Sequence, residues 1–169
     1  AIAKGYATEQ VAMYFEEQGV ESLLFSVGGN VRAIGDKLLA DSKGETRWTI
    51  GLQNPDKYSG KTELMQLSIS DISVVSSGSY ERYYTVDGRE YNHIIDPKTL
   101  MPADKYQDVT IIAHDSGLCD ALSTALFVLP EDEGRSLVDS LEETEALWIL
   151  KDGTIKYTNG FETYIKKQP

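Results

Sequence analysis

Helical repeats are confined to two well-separated regions of this 169-residue chain, and most of what lies between them reads as short strands broken by glycine-bearing turns. That distribution excludes a helical bundle and an alternating βαβ sheet. It leaves an α+β fold, with helices packed on a mostly antiparallel sheet. The first helix is read over residues 4–18, where Ala7, Val11, Tyr14 and Phe15 recur as one apolar stripe and Gly19 supplies the stop. The second is capped by Asp115 or Ser116 and runs to about Leu129. Pro130 opens a third, over 131–141.

Strands are read over 22–27 and 31–34, flanking the turn Gly28-Gly29-Asn30, and over 47–52 and 64–69. Two more, 83–86 and 90–95, flank Asp87-Gly88, a pair that accepts positive φ and marks a hairpin. Residues 109–113 form an apolar strand, and 146–150 and 154–158 a last hairpin about Asp152-Gly153. No repeat, linker or low-complexity tract divides the chain, so residues 1–169 are expected to form a single domain.

A net charge of -11 argues against nucleic acid and anionic membrane surfaces, which select clustered Lys and Arg. A phosphate-bearing ligand would need a metal, a helix N-terminus or a few placed cations. One cysteine, Cys119, excludes an intrachain disulfide and a Cys-rich zinc site. The chain opens on Ala1 rather than Met, so a processed chain or a portion of a longer protein is expected.

Five segments carry residue types suited to chemistry, each with a plainer reading beside it. In Ala1-Ile2-Ala3-Lys4-Gly5-Tyr6-Ala7, Lys4 adds a charge to helix-start N–H groups that attract anions; the alternative is a solvated lysine. In Val27-Gly28-Gly29-Asn30-Val31, paired glycines admit a ligand closely; the alternative is an ordinary hairpin turn. Ser76-Ser77-Gly78-Ser79-Tyr80-Glu81-Arg82 reads as a loop able to present hydroxyls and N–H groups to an oxyanion or a ring edge, or simply as turn residues. In Asn92-His93-Ile94-Ile95-Asp96-Pro97, His93 lies on a strand with Ile94 and Ile95 expected buried, as a general base or as a core histidine. His114 is read as a surface or cap histidine. In Asp120-Ala121-Leu122-Ser123-Thr124-Ala125, Asp120 and Thr124 share one helix face and offer hard oxygens to Mg²⁺. The alternative is an outward Asp120, with Thr124 bonding back to the helix.

In their order and wording, these five segments resemble the ApbE family. The family's run is Ala-Lys-Gly-Tyr-Ala, then Gly-Gly-Asp/Asn, Ser-Gly-x-Tyr-Glu-Arg, His-Ile-Ile/Leu-Asp-Pro-x-Thr and Asp-Ala-Leu-Ser-Thr-Ala. The resemblance covers residues 1 to about 160, with Ser26 and Ser79 as small departures. It implies a T-fold-like architecture and the catalytic C-terminal portion of an FAD:protein FMN transferase. In that reaction a Ser or Thr hydroxyl of a target protein, in the class of membrane redox subunits, takes FMN from FAD and AMP leaves. By this resemblance His93 is the base. Asp120, Thr124 and the Ala1 carbonyl hold Mg²⁺. Lys4, Gly28, Gly29, Asn30, Ser77 and Gly78 form the flavin-nucleotide site, and Asp96 orients the His93 turn with Pro97. Family members carry over a hundred further residues upstream that help enclose FAD, often with a lipoprotein signal. The full-length protein is therefore expected to be extracytoplasmic and lipid-anchored. FAD hydrolysis to FMN and AMP would use the same metal and base; flavin carriage without turnover is a further alternative, against which His93 and Asp120 speak, since a carrier needs neither a base nor a metal. A generic α+β interaction domain would leave Asp120 on an apolar helix unexplained.

Overall fold

The structure, a computed structural model, describes residues 2–167. Helix α1 (Ala3–Glu17) leads into β1 (Leu23–Val27), β2 (Asn30–Ile34), β3 (Trp48–Gln53), β4 (Glu63–Ile69) and β5 (Ser73–Gly78). A projecting hairpin, β6 (Tyr83–Val86) and β7 (Arg89–Asn92), is followed by the short pair β8 (Ile95–Asp96) and β9 (Met101–Pro102). Then come β10 (Tyr106–Ala113), α2 (Ser116–Val128), α3 (Glu131–Asp139), β11 (Glu145–Leu150), β12 (Ile155–Tyr157) and a 3-10 turn, Phe161–Tyr164.

Six strands form one sheet in the order β1-β2-β5-β10-β11-β12, each neighbour pair antiparallel. The α+β expectation holds. Helices cover one face: Val75, Val109, Ile111 and Trp148 pack there with Cys119, Leu122, Leu126 and Phe127 of α2. The β3–β4 hairpin covers the other: Val74, Ile112, Leu147 and Ile149 pack there with Leu52, Leu67 and Ile69. Strands buried on both faces need apolar side chains at successive positions, which is why Ile111-Ile112-Ala113 and Ala146-Leu147-Trp148-Ile149 do not alternate.

Three expectations change. The buried face of α1 is Gly5, Thr8, Glu9 and Ala12, whereas Val11 and Tyr14 are exposed. At Gly5 α1 lies directly on α2, too close for any side chain: a Cβ there would collide with the Ser116 carbonyl and the Asp120 side chain. Residues 76–78, expected as a loop, end the interior strand β5. Polar residues are tolerated there because the hydroxyls find partners, Ser76 with Thr110 and Ser77 with Ser123. The strand expected over 90–95 breaks at His93. The hairpin turns stand where expected: Gly28 and Gly29 have φ of 56° and 93°, and Asp87 and Gly88 49° and 77°.

Candidate active-site cleft

Asp120 is 4 % exposed, on the face of α2 that meets α1. The outward-facing alternative is excluded. Helix α2 is placed by its cap, where Asp115 Oδ1 accepts from the Leu118 N–H at 2.8 Å. The N–H of Gly5, in the first turn of α1, donates to Asp120 Oδ2 at 2.8 Å. That donor, expected to await an anionic ligand, instead orients the carboxylate. One helical turn on, Thr124 donates to the Asp120 carbonyl at 3.3 Å and lines the same cleft. A carboxylate and a hydroxyl side by side suit a hard divalent cation such as Mg²⁺. Ala1, the third expected ligand, lies outside the described residues.

Lys4 reaches across to the β1–β2 turn, where its Nζ donates to the Gly28 carbonyl at 2.8 Å. The lysine and both glycines line the cleft, as do Ser77 and Gly78 at the end of β5. Asn30 is 1 % exposed, stands opposite Val75 in the sheet and does not line the cleft.

The sequence places His93 on a strand with Ile94 and Ile95 buried. It lies instead at a bend between β7 and β8, exposed, with Ile94 buried and Ile95 half exposed. Asn92 builds the bend: its Nδ2 donates to the Ala103 carbonyl at 2.7 Å, and its Oδ1 accepts from the Ile94 N–H at 2.8 Å. The His93 Nδ1 is 3.3 Å from the Arg82 carbonyl. A carbonyl can only accept, so this contact places the proton of the neutral ring on Nδ1 and leaves Nε2 as an acceptor. Asp96 accepts from the Lys98 N–H at 2.8 Å and so shapes the following turn, away from the cleft.

The cleft holds about 610 Å³ and joins Lys4, Gly28, His93, Asp120 and Thr124 in one space. Ser76 and Tyr80 of the hydroxyl-bearing segment line it too, together with residues that none of the five segments contains, Asp108 of β10 and Ile50 and Leu52 of β3. Burial pushes the Asp108 carboxyl up to about 7, against hydrogen bonds from Thr110 and Tyr80 that lower it. The signal was a lone aspartate leading an apolar strand. Away from the cleft, Glu16, Asp71 and His114 bring ligand atoms within 4.8 Å of one another. The Arg32 guanidinium already lies among them, 3.0 Å from Glu16, 3.4 Å from Asp71 and 3.2 Å from His114, so the cluster has its cation.

A profile of the ApbE family matches residues 1–148. The chain is 38% identical over 157 residues to an FAD:protein FMN transferase of Klebsiella pneumoniae, covering 92% of this chain and 46% of that protein. It is 35% identical over 164 residues to one of Treponema pallidum, covering 95% and 45%. Among solved structures, the ApbE protein of Thermotoga maritima superposes with a TM-score of 0.79 at 36% identity, over 98% of this chain and 52% of that one. The flavin transferase ApbE of Vibrio cholerae gives 0.76 at 28% identity, over 96% and 50%. The chain thus spans about half the length of the relatives it matches. With a profile match over most of its length, and with the helix-on-sheet architecture of those structures, the chain belongs to the ApbE family.

Proposed function

We propose that this chain is the catalytic portion of an FAD:protein FMN transferase, which moves FMN from FAD to a Ser or Thr hydroxyl of an acceptor protein and releases AMP. The observation that carries the reading is the meeting in one cleft of a buried, oriented carboxylate, a lysine and a histidine with an open acceptor nitrogen. In a protein of charge -11, such a constellation suits a phosphate-bearing ligand whose charge is met locally.

In this reading, His93 Nε2 takes the proton of the acceptor hydroxyl, whose oxygen attacks the phosphorus on the FMN side of the pyrophosphate. The bond from that phosphorus to the bridging oxygen breaks, and AMP leaves with the electron pair. Arg82 holds the imidazole through its carbonyl, so the proton on Nδ1 does not compete for the role of base. Lys4, tethered beside the Gly28-Gly29 turn, sets a positive charge at the mouth where phosphate oxygens would lie. Asp120 and Thr124 would hold Mg²⁺, which when bound neutralises charge on the pyrophosphate oxygens. Gly5 keeps the Asp120 carboxylate turned toward the cleft. The membrane-subunit class of acceptor and an extracytoplasmic, lipid-anchored setting belong to the same proposal and rest on the family resemblance.

One observation favours a second activity: His93 is exposed, so water can reach the base and take the place of the acceptor hydroxyl, giving FMN and AMP. The test uses the full-length protein with FAD, Mg²⁺ and a Thr-bearing acceptor domain. An acceptor mass gain equal to FMN, with AMP in solution, supports transfer. AMP and free FMN with an unmodified acceptor support hydrolysis. FAD retained with neither product would overturn both.

A further inference from the structure

The hydroxyls on the cleft floor form a directed chain. Ser76 on β5 is exposed toward the cleft, and its Oγ lies 2.7 Å from the Oγ1 of buried Thr110. Thr110 donates to Asp108 Oδ1 at 2.9 Å, and the Tyr80 hydroxyl donates to Asp108 Oδ2 at 3.2 Å. Each hydroxyl has one proton. The Thr110 proton goes to the carboxylate, so the 2.7 Å contact requires Ser76 to be the donor. With Asp108 ionised, every bond runs inward and Ser76 shows the cleft only lone pairs. A proton on Oδ1 reverses the order. Asp108 then donates to Thr110, Thr110 donates to Ser76, and the Ser76 proton turns into the cleft.

We propose that Ser76 is a specificity-determining hydroxyl whose donor or acceptor character is set by Asp108 through Thr110, and that it reads the edge of a heteroaromatic ring. The same cleft is lined by aliphatic side chains, Val31 and Val74 on the sheet and Ile50 and Leu52 on β3, which suit the apolar faces of a ring with a polar rim. The inference rests on the flavin-nucleotide reading above. Both isoalloxazine and adenine carry alternating donors and acceptors on one edge, and each meets the chemistry of this floor.

The groups around Asp108 allow both directions near neutral pH. Burial pushes its carboxyl up to about 7, and Glu81 adds to that push. Burial and the neighbouring Asp108 push the Tyr80 phenol up as well, so Tyr80 remains a donor. The register partners of Asp108 on β5 and β11, Gly78 and Ile149, do not ionise, nor do the β3 residues lining the cleft, Ile50 to Gln53. The other charged or titratable groups along the cleft are Lys4, Arg82, His93 and Asp120.

The test has two readouts on the full chain. Infrared difference spectra of wild type minus Asp108→Asn, from pH 5 to 9, should show a carboxylic acid band that fades as pH rises through about 7. Affinities for FMN and for AMP, measured separately at pH 6 and pH 8, show which ring is read. In wild type one of them should change about three- to tenfold, the effect of one exposed hydrogen bond made or lost. In Ser76→Ala and Asp108→Asn that change should shrink to what the ligand itself and the other groups along the cleft contribute. A band that does not titrate, or an unchanged pH dependence in Ser76→Ala, would overturn the switch. Failure of FMN, AMP and FAD alike to bind, with the band titrating, would overturn the flavin reading and the ring-edge assignment while upholding the directed chain.

Discussion

Gly5 shows how much of the cleft rests on single atoms. Its missing side chain lets α1 sit on α2, and its N–H holds the Asp120 carboxylate. Gly5→Ala is expected to cost about 1–3 kcal/mol in urea unfolding, since the methyl must displace backbone rather than a flexible side chain. It should also lower any Mg²⁺-dependent turnover, which an activity assay would show. His93 is exposed and supports no core, so in the full-length protein His93→Ala should abolish the proposed FMN transfer with little change in FAD affinity or melting temperature. Parallel loss of all three would mean a structural histidine. Asp108 predicts a pH effect with a definite sign. Its folded value, about 7, lies well above that of an ordinary aspartate, so the folded chain holds the proton more tightly. This contribution is complete below about pH 4 and is lost as pH rises through about 7. Asp108→Asn, which mimics the neutral form, should therefore gain melting temperature relative to wild type at pH 8 compared with pH 5. An equal difference at both pH values would contradict the buried ionisation.

At the scale of elements, α1 is held by charge as well as by close packing. Arg32 of β2 is fully buried, with its Nε 3.6 Å from Glu9 and its Nη2 3.0 Å from Glu16. Glu9 also accepts from the Ser116 N–H at 2.7 Å, at the start of α2. One side chain thus ties α1 to the sheet and to α2, and so helps place Lys4 and Gly5. Arg32→Met would leave Glu9 buried without its cation, at an expected cost of about 3–5 kcal/mol. Adding Glu9→Gln should recover part of that loss, and denaturant midpoints of the single and double variants would measure the coupling. The same element shows why its buried face was misread. Ala7, Val11 and Tyr14 make the more apolar stripe, yet the face that packs is the one narrow enough for backbone to approach backbone. Strand β5 is hidden in the sequence for a related reason: Ser76, Ser77 and Gly78 have turn chemistry, and it is pairing with β10, with Thr110 and Ser123 satisfying the two hydroxyls, that makes them strand residues.

At the scale of the whole molecule, a single sheet separates two apolar layers. Trp148 lies in the layer beneath α2, and Trp48 packs against the layer beneath β3 and β4. Both layers are built on β5, β10 and β11, so neither should melt alone. Variants that keep only Trp48 or only Trp148 should report coincident fluorescence transitions in urea; separated transitions would show two independent units. Among the described residues no helix is long and apolar enough to cross a membrane.

What the sequence by itself determined was local in origin. Gly28-Gly29 and Asp87-Gly88 set the positive-φ turns, Asp115 the helix cap, and the apolar runs at 109–113 and 146–150 the two-faced strands, because each depends on neighbouring residues. The ordered motifs also named the family and most of the residues that meet in the cleft. Tertiary structure alone decided which face of α1 is buried, that Asp120 faces inward and is gripped by a residue 115 positions away, that His93 sits at a bend, and that Asn30 stays out of the cleft. It alone brought Ser76, Tyr80, Thr110 and Asp108 together, by setting β5 beside β10. The physical reason is the same in each case. Desolvation and hydrogen-bond direction depend on what the rest of the chain places against a residue, and no window of sequence contains that neighbour.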